Sequence, residues 1–123
     1  MAFERIYYVG ARLSWESSVR CGLSKPGHAT LIYSRKWFPY RQAAFFPLIV
    51  EPPYELDVFD DGINVLRFFN QRLFERHTEL RNAGASWDYD DFKAHITLRH
   101  STVPDTPLTF TYEYYQTWEQ DVR

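Results

Sequence analysis

Short stretches in which apolar and polar residues alternate recur along the chain and predict a protein built mainly from strands. Aromatic and β-branched residues are concentrated in these stretches, as is typical of strands. A further stretch, residues 35–47, carries aromatic, basic and proline residues without a period and predicts an irregular loop. Strands are predicted over residues 3–13, 28–34, 48–50, 54–59, 94–100 and 108–115, the third and fourth being two strands or one bent strand interrupted by Pro52-Pro53.

Two helices are predicted between these strands. A short helix over residues 15–21 has Ser14 as its N-cap and Gly22 at its end. A longer helix over about residues 62–82 would begin at Asp60 or Asp61 and end at Gly84. Apolar residues recur along it at the 3–4 spacing of one helical face, with a histidine expected to lie in the core: Leu66, Phe69, Leu73, His77 and Leu80.

The order of elements is strand, helix, strand, strand, and then the same kinds of element again. This order predicts an α+β fold that is pseudo-duplicated, as a single domain over residues 1–123, since no linker or low-complexity run divides the chain. With 45% hydrophobic and 19% aromatic residues, the chain has enough apolar material for a core and is unlike a disordered protein.

Charge and cysteine content narrow the kinds of partner and compartment. A net charge of −2 gives no general attraction to long nucleic acid, so an anionic ligand is expected to be small and held by a local cluster of basic residues. The one cysteine, Cys21, excludes an internal disulfide and is expected to be buried. With no apolar run of about 18 residues and no signal-peptide pattern, the expected location is the cytoplasm, with no membrane partner.

The most informative feature of the sequence is a repeated tetrapeptide, His28-Ala29-Thr30-Leu31 and His95-Ile96-Thr97-Leu98. A given histidine is followed by threonine and leucine at these spacings by chance about once in 100–200 cases. Both copies fall on predicted strands, where residues i and i+2 share a face about 6–7 Å apart. Each copy therefore presents one imidazole and one hydroxyl on the same side, with the intervening residues directed into the core.

Two imidazoles and two hydroxyls are suited to breaking a phosphodiester without a metal ion or other cofactor. One neutral histidine accepts a proton from the attacking oxygen, and the other, protonated, donates a proton to the leaving oxygen. The hydroxyls of Thr30 and Thr97 would donate hydrogen bonds to the phosphoryl oxygens. The sequence does not assign the acid and the base. A single His-x-Thr on a strand is usually structural. Paired histidines also suggest zinc, which takes three or four ligands, and Asp88, Asp90 and Asp91 could supply carboxylates, but no His-x-His or His-Glu-x-x-His pattern supports a zinc site.

Two such motifs, half a chain apart, resemble the 2H phosphoesterase superfamily. The resemblance implies a two-lobed fold with antiparallel sheets around a central cleft, and a catalytic quartet of His28, Thr30, His95 and Thr97. Two segments, HATLIYSRKWFPY and GASWDYDDFKAHITL, resemble more narrowly the phage anti-CBASS nucleases. That likeness implies a phage enzyme that cleaves the 3′–5′ bonds of cyclic di- and trinucleotide immune signals in the infected bacterium.

Five further residues are candidates for binding the substrate. Tyr8, Trp37 and Phe59 are candidates for stacking on the bases, although most of the nine Tyr and ten Phe must pack the core. Arg99, two residues past Thr97, would share the catalytic face if the strand continues, and is otherwise a solvated charge. The family resemblance implies that Glu113 contacts a base.

Two other functions remain open on the sequence alone. The quartet also suits a 2′,3′-cyclic phosphodiesterase acting on RNA ends. A protein that binds cyclic nucleotides without cleaving them is the other alternative, although binding alone needs no acid–base pair. The oligomeric state is left open.

Overall fold

Two antiparallel sheets and two helices are formed by residues 2–122, the part of the chain that the computed structural model describes. The mixed α+β class expected from the sequence is confirmed. In chain order the elements are β1 (Ala2–Leu13), α1 (Trp15–Arg20), β2 (His28–Ser34), β3 (Leu48–Val50), β4 (Glu55–Val58), β5 (Asn64–Phe68), α2 (Gln71–Asn82), β6 (Ala94–Thr97) and β7 (Leu108–Val122).

The two sheets contact each other along their edge strands. One sheet has the order β2-β1-β7-β3 and the other β4-β5-β6, so β2 and β6 each lie at an edge. These two edge strands contact each other. The strands that carry the two His-x-Thr motifs are therefore neighbours, although they are far apart in the sequence.

Each motif lies on the second strand of a strand–helix–strand unit. The first unit is β1, α1 and β2, and the second is β5, α2 and β6. In both units the two strands pair directly and antiparallel, with Arg12 opposite His28 in the first and Arg67 opposite His95 in the second. The same local topology thus places each histidine beside an arginine on the neighbouring strand.

The strand alternation expected at the motifs is confirmed by the burial of the intervening residues. Ala29 and Leu31 on β2 are fully buried. Ile96 on β6 and Leu98 just after it are at most 3% exposed. These side chains join the main hydrophobic core, which includes Val9, Ala11, Leu66, Leu73, Leu80 and Phe110. Because successive strand residues face opposite sides, burial of this set directs the histidines and threonines away from the core.

The first helix is confirmed with the termini expected from the sequence. The Ser14 side chain accepts a hydrogen bond from the Ser17 amide at 3.1 Å, which satisfies one free N–H of the first turn. After the C-cap residue Cys21, Gly22 adopts a φ of 76°, a left-handed conformation that favours glycine. Cys21 is fully buried, as expected.

The second helix begins later than the sequence predicted. Residues 64–68 form β5 between β4 and β6, and α2 begins after Asn70, whose side chain accepts from the Leu73 amide at 3.1 Å. Asp60 and Asp61 lie instead in the turn between β4 and β5, where Gly62 has a φ of 86°. Val65, Leu66 and Phe68 fit a strand buried between two partners, so sheet pairing overrides the apparent helical spacing.

Two of the strand ends also differ from the predicted ones. β6 ends at Thr97. After it, the Leu98 amide donates to the Asn64 carbonyl at 2.9 Å, and the Arg99 amide donates to the Cys21 carbonyl at 3.1 Å. β7 continues to Val122, opposite Ala2, instead of ending near residue 115. Its second half is largely exposed and polar, so its strand conformation depends on pairing with β1 and is not visible as a hydrophobic pattern.

The placement of His77 in the core is confirmed. His77 is 5% exposed, and its Nδ1 lies 2.7 Å from the Leu31 carbonyl oxygen on β2. Because a carbonyl only accepts, Nδ1 carries the hydrogen and donates it. The ring also stacks on Phe92 at 4.3 Å, so His77 joins α2 to β2 and to the loop before β6.

Neither helix among residues 2–122 has the length and apolar character needed to cross a membrane.

The start of α2 can be tested by removing its cap. We expect Asn70→Ala to lower the free energy of unfolding by about 0.5–2 kcal/mol, because the Leu73 amide loses its partner. Asp60→Ala is the matched control and should change it by less than about 0.5 kcal/mol. Urea denaturation of both variants measures the difference. A larger loss from Asp60→Ala than from Asn70→Ala would contradict this helix start.

Candidate active site

Residues from both motifs line one cavity at the contact between β2 and β6. The cavity has a volume of about 310 Å³, and His28, Thr97 and Arg99 contribute to its wall together with the loop before β2. His95 lies near enough that its positive charge lowers the pKa of His28. The two imidazoles, one from each sheet, therefore lie close enough for their charges to interact.

The first motif is held by a contact from β1. The Tyr8 hydroxyl lies 3.0 Å from the Thr30 hydroxyl, within hydrogen-bond distance. The Tyr8 ring meets the His28 ring edge-on, with 6.1 Å between the centroids. Tyr8 is only 7% exposed, so its ring forms part of the wall behind the motif and does not offer a free face for stacking on a base.

The second motif lies beside an aromatic residue and an arginine. Phe59, just after β4, meets the His95 ring edge-on at 5.5 Å. Arg67, opposite His95 on β5, lies over Phe59 at 5.6 Å and pairs with Asp57 at 2.6 Å. His95 Nδ1 donates to the Lys93 carbonyl at 3.3 Å, which leaves Nε2 as the acceptor of the neutral ring.

The pKa values of both histidines are lowered from the ordinary value of 6.5. For His28 the largest cause is partial burial, followed by the positive charges of Arg12 and His95. For His95 burial is again the largest cause, opposed by the hydrogen bond to the Lys93 carbonyl and reinforced by Arg67. At neutral pH both rings are therefore mainly uncharged before a ligand binds, and a bound anion would favour protonation of one of them.

Arg99 lies at this site, but for a different structural reason from the expected continuation of the strand. The strand does not continue past Thr97, yet the turn that bonds Arg99 to the end of α1 leaves it in the wall of the same cavity. Lys25 lies in that wall as well. Arg67, Phe69 and Lys93 line a larger cavity of about 710 Å³, to whose wall neither imidazole contributes.

Two of the expected binding residues are not brought to the histidines. Trp37 is 66% exposed and follows the C-terminal end of β2, whereas His28 is at the N-terminal end of that strand. Glu113 is 1% exposed and lies opposite Ala11, on the core side of its sheet. This placement does not fit direct contact with a base.

The Glu113 carboxylate is instead held by a buried network. Arg76 on α2 donates to both of its oxygens, at 2.7 and 2.8 Å. The Tyr40 hydroxyl at 2.7 Å and the Ala43 amide at 3.1 Å donate to Oε2. Glu113 therefore joins β7 to α2 and to the loop after β2, which is a structural role.

Arg12 and Arg67, the arginines opposite the two histidines, were not predicted from the sequence. Neither was a strip of aromatic side chains on β7 beside Tyr8. The Arg12 guanidinium lies 4.4 Å from the ring centroid of one of them, Tyr114. The sequence could have indicated Arg12 as a site residue, because Tyr8 and Arg12 are four residues apart on a predicted strand and therefore lie on the same face of β1. We define the aromatic strip as Tyr112, Tyr114 and Trp118.

Within residues 2–122, no three side chains of the His, Cys, Asp or Glu type come together in a group able to hold a metal ion.

Comparison with known proteins finds similarity over most of the chain. A family model described as "Anti-CBASS protein Acb1" matches residues 12–121, which include both motifs. The anti-CBASS protein Acb1 of Salmonella phage S16 is 32% identical over 110 residues, covering 78% of this chain and 72% of that protein. The anti-CBASS protein Acb1 of Caulobacter sp. (strain RHG1) is 32% identical over 96 residues, covering 67% of this chain but only 14% of that protein.

The electrostatics of the two imidazoles can be measured by NMR titration of their ring protons. We expect both His28 and His95 to titrate below 6.5 in the free protein. Arg12→Gln should raise the pKa of His28, because it removes a nearby positive charge, and should leave that of His95 unchanged. Arg5→Gln, which removes an exposed charge paired with Glu119, is the control. A pKa of His28 above 6.5 in the wild type would contradict this description.

The structural role of Glu113 can be tested by denaturation. We expect Glu113→Ala to lower the free energy of unfolding by about 3–5 kcal/mol, because the buried Arg76 loses its counter-ion. The double variant Arg76→Met/Glu113→Leu should recover most of that loss. Glu119→Ala, which breaks the exposed pair with Arg5, should cost less than about 1 kcal/mol. Equal costs for Glu113→Ala and Glu119→Ala would show that the buried network is not important for stability.

Proposed function

The chain belongs to the anti-CBASS protein Acb1 family, and from that premise we propose that it is a metal-independent phosphodiesterase that opens cyclic di- and trinucleotide immune signals. By removing the signal in the cytoplasm of the infected bacterium, it would allow a phage to evade CBASS defence. The observation that carries the proposal is the cavity shared by His28 and Thr97, close to His95. The proposal includes membership of the 2H phosphoesterase superfamily, which the two His-x-Thr motifs support.

The proposed reaction is an acid–base transesterification at one 3′–5′ linkage. One imidazole accepts the proton of a ribose 2′-hydroxyl, and that oxygen forms a bond to phosphorus. The other imidazole, protonated, donates its proton to the departing 5′-oxygen as the bond from phosphorus to that oxygen breaks. The product is an opened chain with a 2′,3′-cyclic phosphate, which water attack would convert to a phosphate monoester.

The lowered pKa values of both histidines support this use. A neutral imidazole is available as the base at neutral pH, since burial and the adjacent arginines disfavour its charged form. The negative phosphodiester would compensate those positive charges when it binds and so favour protonation of the second imidazole. The threonine hydroxyls, Thr30 behind His28 and Thr97 beside His95, are suited to donate to the phosphoryl oxygens.

The charges and aromatic residues around the motifs support an anionic ligand with bases. Arg12 and Arg67 lie opposite the two histidines, and Arg99 lies in the cavity wall, so basic side chains are concentrated at the site although the chain has a net charge of −2. Arg67 is paired with Asp57, so its charge is partly compensated. The aromatic strip on β7 borders Arg12, and such rings contribute about 1–3 kcal/mol for each stacked base. Phe59 provides an aromatic edge at the other side of the site.

The proposal is tested by incubating the protein with a panel of cyclic di- and trinucleotides in EDTA. We expect at least one ring with a 3′–5′ linkage to be opened, because the proposed chemistry needs no metal ion. His28→Ala and His95→Ala should each lower the rate about 10²–10⁴-fold. His100→Ala, an exposed histidine outside both motifs, is the matched control and should retain the wild-type rate.

Three results would contradict the proposal, each in a different way. Recovery of every ring intact and unbound would remove cyclic oligonucleotides as substrates. Tight binding without cleavage, unchanged in His95→Ala, would indicate a protein that sequesters the signal. Cleavage of 2′,3′-cyclic phosphates on RNA ends in preference to rings would indicate an RNA-processing phosphodiesterase.

A further inference from the structure

We infer that Tyr8 is a positioning residue that fixes the hydroxyl of Thr30 in the orientation needed to donate to a phosphoryl oxygen. The inference rests on the proposed function, because it specifies how one of the two threonines would be prepared for that chemistry. It replaces the expectation that Tyr8 stacks on a base with a role inside the wall of the site.

The first observation is the hydrogen bond between the two hydroxyls. Tyr8 Oη lies 3.0 Å from Thr30 Oγ1, and the Tyr8 ring is 7% exposed. Either hydroxyl can donate in this pair, and the Tyr8 hydroxyl also interacts with that of Tyr114. In the arrangement that the inference requires, the phenol, the more acidic of the two groups, donates to Thr30. The proton of Thr30 is then free to point toward the site. Burial also raises the pKa of Tyr8, which keeps the phenol protonated wherever the histidines titrate.

The second observation is the space that β1 leaves for this ring. Gly10 lies opposite both Thr30 and Tyr114, and a Cβ built there would approach Tyr8 Cε1 and Oη to 2.8 Å. The same Cβ would approach the Tyr114 ring to 2.9 Å. No side chain larger than hydrogen fits between these two rings without moving them. Gly10 therefore allows the Tyr8 hydroxyl to reach Thr30.

The third observation is an irregularity in the sheet at the same place. The β1–β2 ladder shifts register between Val9 and Gly10, so that Ile32 pairs with Val9 and Thr30 pairs with Gly10. An extra residue in one strand locally changes the direction of its side chains. The shift therefore lies between Tyr8, which supplies the phenol, and Gly10, which is opposite Thr30.

The two threonines are consequently not equivalent. Thr30 is half-buried and its hydroxyl is held by Tyr8, whereas Thr97 is exposed at the end of β6. A donor that already points at its target needs no reorganisation when the transition state forms. We therefore expect Thr30 to depend on Tyr8, and Thr97 to act independently of it.

The orientation of Thr30 can be measured without any substrate. Three-bond NMR couplings report its χ1 angle, and we expect a single rotamer in the wild type. In Tyr8→Phe and in Gly10→Ala the coupling should become an average over rotamers, because the hydroxyl loses its partner. Tyr33→Phe is the matched control, since it removes another phenol bonded to a side chain, Gln120 at 2.7 Å, and should leave Thr30 unchanged.

The catalytic consequence is measured by opening of a cyclic dinucleotide that the wild type accepts. We expect Tyr8→Phe to lower kcat about tenfold with little change in KM, whereas Tyr33→Phe retains wild-type values. Tyr8→Phe/Thr30→Val should be no slower than Thr30→Val alone, because the phenol acts through that hydroxyl. In Tyr8→Phe/Thr97→Val the two losses should multiply.

The results separate this inference from the proposed function. If the wild type opens no ring, the proposed function fails, and the χ1 measurement alone decides whether Tyr8 positions Thr30. A higher KM with unchanged kcat in Tyr8→Phe would overturn the inference in favour of direct contact with the ligand. Averaged χ1 couplings in the wild type, or multiplying losses in Tyr8→Phe/Thr30→Val, would overturn it as well.

Discussion

The contact between two edge strands, β2 and β6, is the constraint on which the site depends. On each strand the side chains alternate, so burial of Ala29, Leu31 and Ile96 in the core fixes the opposite direction for the histidines and threonines. The same apolar burial that stabilises the fold thus sets the position of the polar groups. A shift of either strand by one residue would bury an imidazole and expose a core side chain. The spacing of the motif residues and the packing of the core therefore depend on the same strand register.

The lowered pKa values of His28 and His95 follow from where these two strands place them. Partial burial is the largest cause of the lowered pKa of each histidine, and the arginine that each unit of strand, helix and strand puts opposite its histidine adds to it. Both pKa values are lowered as a result. Under the proposed function, an anionic ligand would offset the nearby positive charges and favour the protonated form of one ring. Binding of the anion and availability of the acid would then be coupled.

What the sequence predicted well were features set by a few neighbouring residues. The two His-x-Thr strands, the cap of α1 at Ser14 and the buried His77 all follow from local spacing. The start of α2 was wrong because residues 64–68 take their conformation from pairing with strands on both sides. The burial of Glu113 against Arg76 and the contact of Tyr8 with Thr30 join residues 37 and 22 positions apart, and no local pattern indicates such partners.

The central claim is that both imidazoles contact the same phosphate, and a crystal structure with a non-hydrolysable cyclic dinucleotide tests it most directly. We expect one phosphate between His28 and His95, with a ring nitrogen of each within about 3 Å of its oxygens. We also expect the hydroxyls of Thr30 and Thr97 beside that phosphate. A dinucleotide bound in the 710 Å³ cavity, with no phosphate touching either imidazole, would contradict the proposed catalytic role of the two histidines.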